Sequence, residues 1–129
     1  MENINLLAVF VAALSAFALG GAWYSPRLFG EAWLRESGVD PQQGHPGRVF
    51  GGAFVLSLVA ALVFAIFLGP EPGLEFAVGA GFAAGLFWVA SSFGINYLFS
   101  QRSMTLFLID GGYHTVQFTM YGMILGLWH

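Results

Sequence analysis

Four long stretches of the chain are apolar and almost free of charge. Residues 3–26, 49–70 and 76–101 contain no charged side chain, and residues 103–129 contain only Asp110. A helix needs about 20 apolar residues to cross a bilayer, so each stretch is long enough. The apolar residues run continuously instead of alternating with polar ones, which favours helices over membrane β-strands. The pattern predicts an all-α, polytopic membrane protein with spans near residues 4–24, 49–69, 74–99 and 104–128.

The longest connection between these spans predicts a short helix at the membrane surface. Ser25 is a suitable helix cap, and Pro26 is a favourable first residue of a helix. Apolar residues share one face of the segment that follows, and Gly38 is a typical residue at a helix end. We therefore predict an interfacial helix near residues 26–37, within a single four-helix transmembrane domain of residues 1–129.

Composition supports this class of protein and excludes several others. Hydrophobic residues make up 57% of the chain and charged residues 9%, whereas soluble domains have about 25% charged residues. The absence of cysteine excludes disulfides, thiol nucleophiles and cysteine metal sites. The net charge of −3 leaves no basic surface for nucleic acid. The sequence contains no catalytic motif or nucleophile–base set, so we predict no catalytic residues and no enzymatic activity.

The positions of the positive charges predict the orientation. The chain has four arginines and no lysine; three arginines lie in residues 25–48 and the fourth, Arg102, lies in residues 100–103. Both connections fall on the same side of the predicted bundle, and loops rich in Lys and Arg usually face the cytoplasm. We therefore expect a multi-pass protein of the cell inner membrane, surrounded by the lipid bilayer, with both termini on the periplasmic side.

Small residues recur at every fourth position of each predicted span. Helices in lipid associate by close backbone approach over small side chains, because lipid provides no hydrophobic force between them. Most of this spacing fits packing within one chain. Four helices have limited means to bury four such rows, however, so we also expect a homo-oligomer. The predicted packing positions on the third and fourth spans are Gly73, Ala77, Gly81, Gly85, Gly122 and Gly126.

The fourth span carries the main candidate site. Asp110 and His114 are about one helical turn apart, and two further polar residues continue the row on the same face. Ionisable residues within a membrane normally face a bundle interior or a wet cavity and find polar partners there. Matching the depths of neighbouring spans adds polar residues from the other helices. The predicted intramembrane polar layer consists of Asp110, His114, Gln117, Tyr121, Ser15, Ser57, Ser92 and Asn96.

Three interpretations of this layer stay open. Asp110 and His114 could hydrogen-bond to each other and to nearby serines, which would hold the helices together. They could instead form a proton or ion site, since Asp and His are common relay residues in membranes. A metal or cofactor site is the third interpretation, but zinc usually takes three or four ligands. We therefore predict no metal ion and no cofactor.

Two parts of the sequence resemble a known family. Residues 23–26 (WYSP) are followed by a Leu-Phe-Gly segment and Trp33, and residues 95–99 (INYLF) lead into residues 106–114 (LFLIDGGYH). Together they resemble the small four-helix membrane proteins of the domain of unknown function 1761 family. The resemblance covers nearly the whole chain and implies a topology but no particular activity. Asparagine is usual in that family where Asp110 stands, so the resemblance implies no obligatory carboxylate there.

Two functional classes follow from these observations. The first is a small transporter or channel that uses the Asp110 and His114 layer to move protons or a small solute. The second is a non-catalytic structural or accessory subunit of a larger membrane complex. A polar row that converges on an oligomer axis favours the first class, and a row buried inside one chain favours the second.

Overall fold

This computed structural model describes residues 3–129, which contain five helices and no strand. The all-α fold predicted from the sequence is confirmed, while the first two residues of the predicted domain lie outside the described residues. The helices are α1 (Leu6–Trp23), α2 (Gly30–Ser37), α3 (Pro46–Leu68), α4 (Leu74–Phe99) and α5 (Met104–Leu127).

Three of these helices, α1, α3 and α4, are long and apolar enough to cross a membrane. Their 18, 23 and 26 residues correspond to lengths of about 27 to 39 Å at ~1.5 Å per residue. The sequence predicts four spans, and α5 is not among the three. It has 24 residues and is long enough, but Asp110, His114 and Gln117 make it less apolar than the others.

Local sequence determines where the helices begin and end. The side chains of Asn5, His45 and Ser103 each accept a hydrogen bond at 3.1 Å from the backbone N–H three residues later. Each bond satisfies an N–H that has no partner within its own helix. Gly38 and Gly69 end α2 and α3 with φ angles of 72° and 91°, which side chains with a Cβ adopt only with strain.

Helix α2 begins four residues later than the sequence predicts. The hydroxyl of Ser25, the predicted cap, donates to the carbonyl of Ala22 at 2.8 Å instead. The carbonyl of Ser25 accepts from the N–H of Gly30 at 2.9 Å, which closes a tight turn between α1 and α2. A Cβ at Gly30 would overlap the Tyr24 carbonyl, so this turn requires glycine. The predicted end of α2 at Gly38 agrees with the structure.

Helix α5 lies at the centre of the bundle. Each of the other four helices packs against it, and α3 packs mainly against α1. The ring of Phe54 on α3 makes edge contacts with Phe10 and Phe17 of α1, with centroids 5.8 and 5.5 Å apart. The most polar of the long helices is therefore the one with the most protein around it.

The most extensive helix contact joins α4 to α5 over glycines. A Cβ at Gly81 would overlap the carbonyl of Phe118, and a Cβ at Gly122 would overlap the carbonyl of Ala77. Only glycine lets the two backbones approach this closely. The predicted packing positions that lie in this contact are Ala77, Gly81, Gly85, Gly122 and Gly126.

Gly73, the remaining predicted packing position, lies outside the α4–α5 contact. It is exposed, precedes α4 as its cap residue, and would have open space around a Cβ. The prediction was wrong here because Gly73 precedes α4 with open space beside it, whereas the contact with α5 begins at Leu74, which lies against Gly126. The row of small residues therefore starts at Ala77, which is fully buried.

A π-helical segment interrupts the middle of α4. Residues Ala84–Ala90 are π-helical, between the α-helical segments Leu74–Ala83 and Ser91–Phe99. The residues of α4 that contact α5 follow four-residue steps up to Gly85, then a five-residue step to Ala90. A π turn holds one more residue than an α turn. It therefore realigns the second half of α4, so that Gly94 and Tyr97 also face α5.

Gly81→Ala is expected to lower the unfolding free energy in detergent by about 1–3 kcal/mol, the usual scale for overpacking. The new methyl group would meet the Phe118 carbonyl, so the two backbones would have to separate. Gly79→Ala, on the same helix, is the matched control because nothing lies within 4 Å of a Cβ there. Equal thermal unfolding midpoints for both variants would contradict the close α4–α5 contact.

Deletion of Phe87 is expected to leave the fold intact. The π turn would relax to an α turn, and a four-residue step would replace the five-residue step, with Ala90 and Tyr97 kept on α5. Deletion of Ile95 is the control, because it rotates Tyr97 away from α5 by about 100°. Both deleted side chains are largely exposed. Thermal unfolding should show a clearly larger loss for the Ile95 deletion, and the reverse order would refute this account.

Candidate functional site

The carboxyl group of Asp110 joins three helical segments. Asp110 is only 7% exposed. The hydroxyl of Tyr24, at the end of α1, donates to Asp110 Oδ1 at 2.7 Å. The hydroxyl of Tyr97, on α4, donates to Asp110 Oδ2 at 2.5 Å. Both carboxyl oxygens are thus hydrogen-bonded inside the protein, as a buried carboxyl group requires.

Two further bonds hold the end of α1 against α5. The indole N–H of Trp23 donates to the carbonyl of Ile109 at 2.9 Å. The hydroxyl of Tyr113 donates to the carbonyl of Ala16 at 2.8 Å. The Tyr24 ring packs on the Tyr113 ring with centroids 5.4 Å apart. The adjacent Trp23 and Tyr24 therefore donate hydrogen bonds to the consecutive residues Ile109 and Asp110 of α5.

A second polar chain runs along α5 from His114. His114 Nδ1 lies 2.5 Å from Gln117 Oε1, and Gln117 Nε2 donates to the Tyr121 hydroxyl at 2.7 Å. The Tyr121 hydroxyl donates to the backbone carbonyl of Ser57, on α3, at 3.2 Å. Gln117 and Tyr121 are 5% and 0% exposed. These hydrogen bonds link α5 to α3. Asp110, Tyr24 and Tyr97, which we call the Asp110 cluster, link α5 to α1 and α4 in the same way.

The Ser57 carbonyl at the end of this series of hydrogen bonds determines which group donates in each of them. A backbone carbonyl only accepts, so Tyr121 donates to Ser57 and accepts from the Gln117 amide. The oxygen of Gln117 then faces His114, and His114 Nδ1 carries the proton that it donates. His114 Nε2 is left with a lone pair. The imidazole itself stacks on the Phe93 ring of α4 with centroids 4.9 Å apart.

Asp110 and His114, which the first interpretation pairs, bond to different partners in the structure. Among the hydrogen bonds of residues 3–129 there is none between Asp110 and His114. Helical side chains lean towards the amino terminus of their helix. Asp110 therefore points towards Tyr24 and Tyr97, and Gln117 leans back towards His114. The direct bond of the first interpretation is therefore absent: Asp110 bonds to Tyr24 and Tyr97, and His114 bonds to Gln117.

The predicted serines and asparagine do not complete a polar layer. The Ser15 hydroxyl donates to the Ala12 carbonyl of its own helix at 2.6 Å. Ser92 is exposed, and its hydroxyl donates to the Trp88 carbonyl at 2.8 Å. Asn96 is exposed, and Ser57 contributes its carbonyl instead of its hydroxyl. The layer was wrong in this respect because equal depth does not imply that side chains face one another.

The sequence analysis did not include in the site the aromatic residues that bond to Asp110. A buried carboxyl group needs donors, and the hydroxyls of Tyr24 and Tyr97 lie on residues that flank the same end of the predicted bundle. Both tyrosines stand in the segments that carry the family resemblance, so a signal was present. The sequence did not show, however, that Tyr97 faces Asp110, because the rotation of α4 depends on the π-helical segment.

The side chains of this site are arranged for hydrogen bonding. No group of three or more His, Cys, Asp or Glu side chains that could hold a metal ion occurs in residues 3–129. Each oxygen of the Asp110 carboxyl group accepts one hydrogen bond from a tyrosine. Within the described residues, His114 Nε2 has no hydrogen-bond partner, and His114 is less buried than Asp110.

Comparison with known proteins shows the family. A family model described as "Protein of unknown function (DUF1761)" matches residues 7–126, and the chain belongs to this family. The resemblance inferred from the WYSP, INYLF and LFLIDGGYH segments is thereby confirmed. No curated protein and no solved structure matches the chain. In the structure, the three segments that carry the resemblance meet around Asp110.

A double-mutant cycle tests the Asp110 cluster. Tyr97→Phe is expected to lower the unfolding free energy by about 1–3 kcal/mol, typical of leaving a buried acceptor without its donor. Its effect should shrink in an Asp110→Leu background, where the acceptor is gone. Asp110→Asn should be milder than Asp110→Leu, because an amide keeps one acceptor oxygen and its NH₂ can donate to a tyrosine hydroxyl.

Tyr113→Phe is the control for this cycle. Its hydroxyl donates to the Ala16 carbonyl and not to Asp110, so its cost should be the same in both backgrounds. Additive effects of Tyr97→Phe and Asp110→Leu on thermal stability would refute the coupling.

Proposed function

We propose that this member of the DUF1761 family is a four-span membrane protein, with α5 as the fourth span. Its 24 residues extend about 36 Å, enough to cross the ~30 Å hydrocarbon core. Its polar side chains do not argue against insertion, because Asp110 and Gln117 are buried against other helices. A polar residue that faces protein avoids most of the cost of contact with lipid.

The proposed orientation follows from the arginines. Helix α2 and the connection between α4 and α5 lie at the same end of the bundle. Arg102 Nη1 donates a hydrogen bond to the Ser37 carbonyl there, at 2.7 Å. The four arginines of the chain all lie at this end: Arg27 before α2, Arg35 in α2, Arg48 in the first turn of α3 and Arg102 between α4 and α5. The positive-inside rule supports a cytoplasmic position for this end, an inner-membrane location and periplasmic termini.

Cysteine labelling in intact cells tests this orientation, since the chain has no cysteine of its own. Glu71→Cys, in the exposed turn between α3 and α4, should react with a membrane-impermeant maleimide. Gln43→Cys, exposed before α3, should react only after the cells are permeabilised. Labelling of Gln43→Cys from outside would contradict the proposal.

We further propose that the protein acts as a non-catalytic structural or accessory subunit, in a homo-oligomer or a larger membrane complex. The observation that carries this proposal is that the Asp110 carboxyl group bonds only to groups of its own chain among the described residues. Both oxygens of a carboxyl group that is 7% exposed are bonded to tyrosines of the same chain. A group bonded in this way stabilises helix packing, whereas a transport site must exchange its partners with a solute.

Transport of protons or a small solute is the second candidate function, and His114 favours it. Its Nε2 has no hydrogen-bond partner within the described chain, and its Nδ1 continues into Gln117 and Tyr121. Such a chain resembles a short proton relay. It ends on the Ser57 carbonyl, however, and a carbonyl cannot pass a proton onward.

Flux measurements in proteoliposomes separate the two functions. If the polar groups are structural, wild-type protein should show no proton flux above that of empty liposomes between pH 5 and 8. If they transport, flux should appear in wild type and be lost in His114→Leu, while His114→Leu remains folded. Asp110→Asn, measured in parallel, would show whether the carboxyl group takes part. Flux that depends on His114 would overturn the structural proposal.

A further inference from the structure

Helix α2 crosses the end of the bundle that contains the Asp110 cluster. Tyr24 directly follows α1, and Tyr97 lies two residues before the end of α4. Asp110 lies six residues after the start of α5, about 9 Å along the helix at ~1.5 Å per residue. Helix α2 begins beside Tyr24, packs against α5, and ends beside Arg102 in the connection between α4 and α5. It therefore lies across the same end of the three helices that the carboxyl group joins.

The first half of α2 packs on the aromatic residues that follow from α1. Gly30 is buried against the Tyr24 carbonyl, and the Trp33 ring makes an edge contact with the Tyr24 ring, with centroids 5.8 Å apart. The Phe29 ring, directly before α2, lies on the Trp23 ring with centroids 4.9 Å apart. Trp23 and Tyr24 also bond to α5. Helix α2 therefore packs directly on a donor of the buried carboxyl group.

The second half of α2 is held by Arg102. Arg102 Nη1 donates to the carbonyl of Ser37, the last residue of α2, at 2.7 Å. A positive charge is favourable there because the last carbonyls of a helix carry a partial negative charge. Within residues 3–129, this is the one hydrogen bond that joins the second half of α2 to another helix or connection. Residues 38–53, which follow α2, are all exposed, so they provide little packing in its place.

The backbone of Arg102 is fixed to the other donor of the Asp110 carboxyl group. Its N–H donates to the Tyr97 carbonyl at 2.9 Å, and the Gln101 N–H donates to the Leu98 carbonyl at 3.4 Å. These two bonds form a Schellman motif that ends α4. Gln101 occupies its left-handed position with a φ angle of 61°, which costs free energy in a residue with a Cβ. Arg102 thus connects the end of α2 to the end of α4, next to Tyr97.

We propose that α2 is a lid over the Asp110 cluster and that Arg102 holds this lid closed. Loss of the bond to Ser37 releases the end of a helix of only eight residues, which is too short to be stable in water by itself. Segments held by few contacts open locally without global unfolding. When α2 moves away, Trp33 leaves the Tyr24 ring, and water reaches a carboxyl group that is 7% exposed in the closed arrangement. The inference rests on the internal bonding of Asp110 in the proposed function and adds the element that controls access to it.

Chemical modification of Asp110 in nanodiscs tests the lid. A water-soluble carbodiimide and a glycine ester convert accessible carboxyl groups to amides, and peptide mass spectrometry locates them. Asp110 is expected to react slowly in the wild type, with the exposed Glu31 of α2 as the internal reference. Arg102→Gln should increase the rate at Asp110 about tenfold, the shift in a local opening equilibrium expected from the loss of one hydrogen bond. Arg48→Gln, which removes the same charge from an exposed position in the first turn of α3, is the matched control and should not change the rate.

Two substitutions within α2 give a second comparison. Trp33 packs on Tyr24, whereas the neighbouring Leu34 is 39% exposed. Trp33→Ala should therefore increase the modification of Asp110, and Leu34→Ala should not. The thermal unfolding midpoint of each variant is measured, and the reaction is run well below it, so that modification reports local opening and not loss of the fold.

The pattern of modification separates the ways in which the proposal can fail. Faster modification of Asp110 in Arg102→Gln and Trp33→Ala, with both controls like the wild type, supports the lid. A rate that is unchanged in either variant, or equally raised in its control, overturns the lid and leaves the internal bonding of Asp110 standing. Asp110 that reacts as fast as Glu31 in the wild type overturns both. Both faces of a nanodisc are open to water, so none of these outcomes depends on the proposed orientation.

Discussion

The need to bond the buried carboxyl group of Asp110 governs the arrangement of the helices. A carboxyl group in an apolar interior is tolerated only when its oxygens receive hydrogen bonds. Here the donors are two tyrosines from different helices, Tyr24 and Tyr97. Each must arrive at the correct depth and rotation, so the end of α1 and the second half of α4 are positioned by the same group. Trp23 strengthens this arrangement through the neighbouring Ile109 carbonyl.

Close backbone packing between α4 and α5 makes this bonding possible. The glycines at 81, 85 and 122 remove the side chains that would hold the helices apart. The π-helical segment Ala84–Ala90 then corrects the rotation of α4, so that one helix keeps contact with α5 along its length. π-helical turns are frequent at functional sites. In this protein the turn serves the geometry of the Asp110 cluster by aligning Tyr97.

The distribution of bonded and unbonded polar groups supports a function through protein contacts. Asp110, Gln117 and Tyr121 are bonded within the chain and buried. Trp88 and Asn96, in contrast, are exposed on an outer face of α4. A transporter would be expected to show the opposite distribution, with unbonded groups along an internal path. His114 belongs to neither pattern, since it is half-buried and its Nε2 has no hydrogen-bond partner within residues 3–129.

The sequence by itself determined the helical class, the helix positions to within a few residues, the packing positions from Ala77 onward and the choice of Asp110 as a candidate polar site. These follow from local properties: continuous apolar runs, small residues at four-residue spacing, and the cost of a carboxyl group in an apolar span. Only the tertiary structure decided which side chains meet Asp110. Sequence spacing places His114 beside it, yet the rotation of α4 and the turn after Trp23 bring two tyrosines closer. Such rotations depend on contacts between distant segments, and a five-residue step within an apolar run leaves no local mark in the sequence.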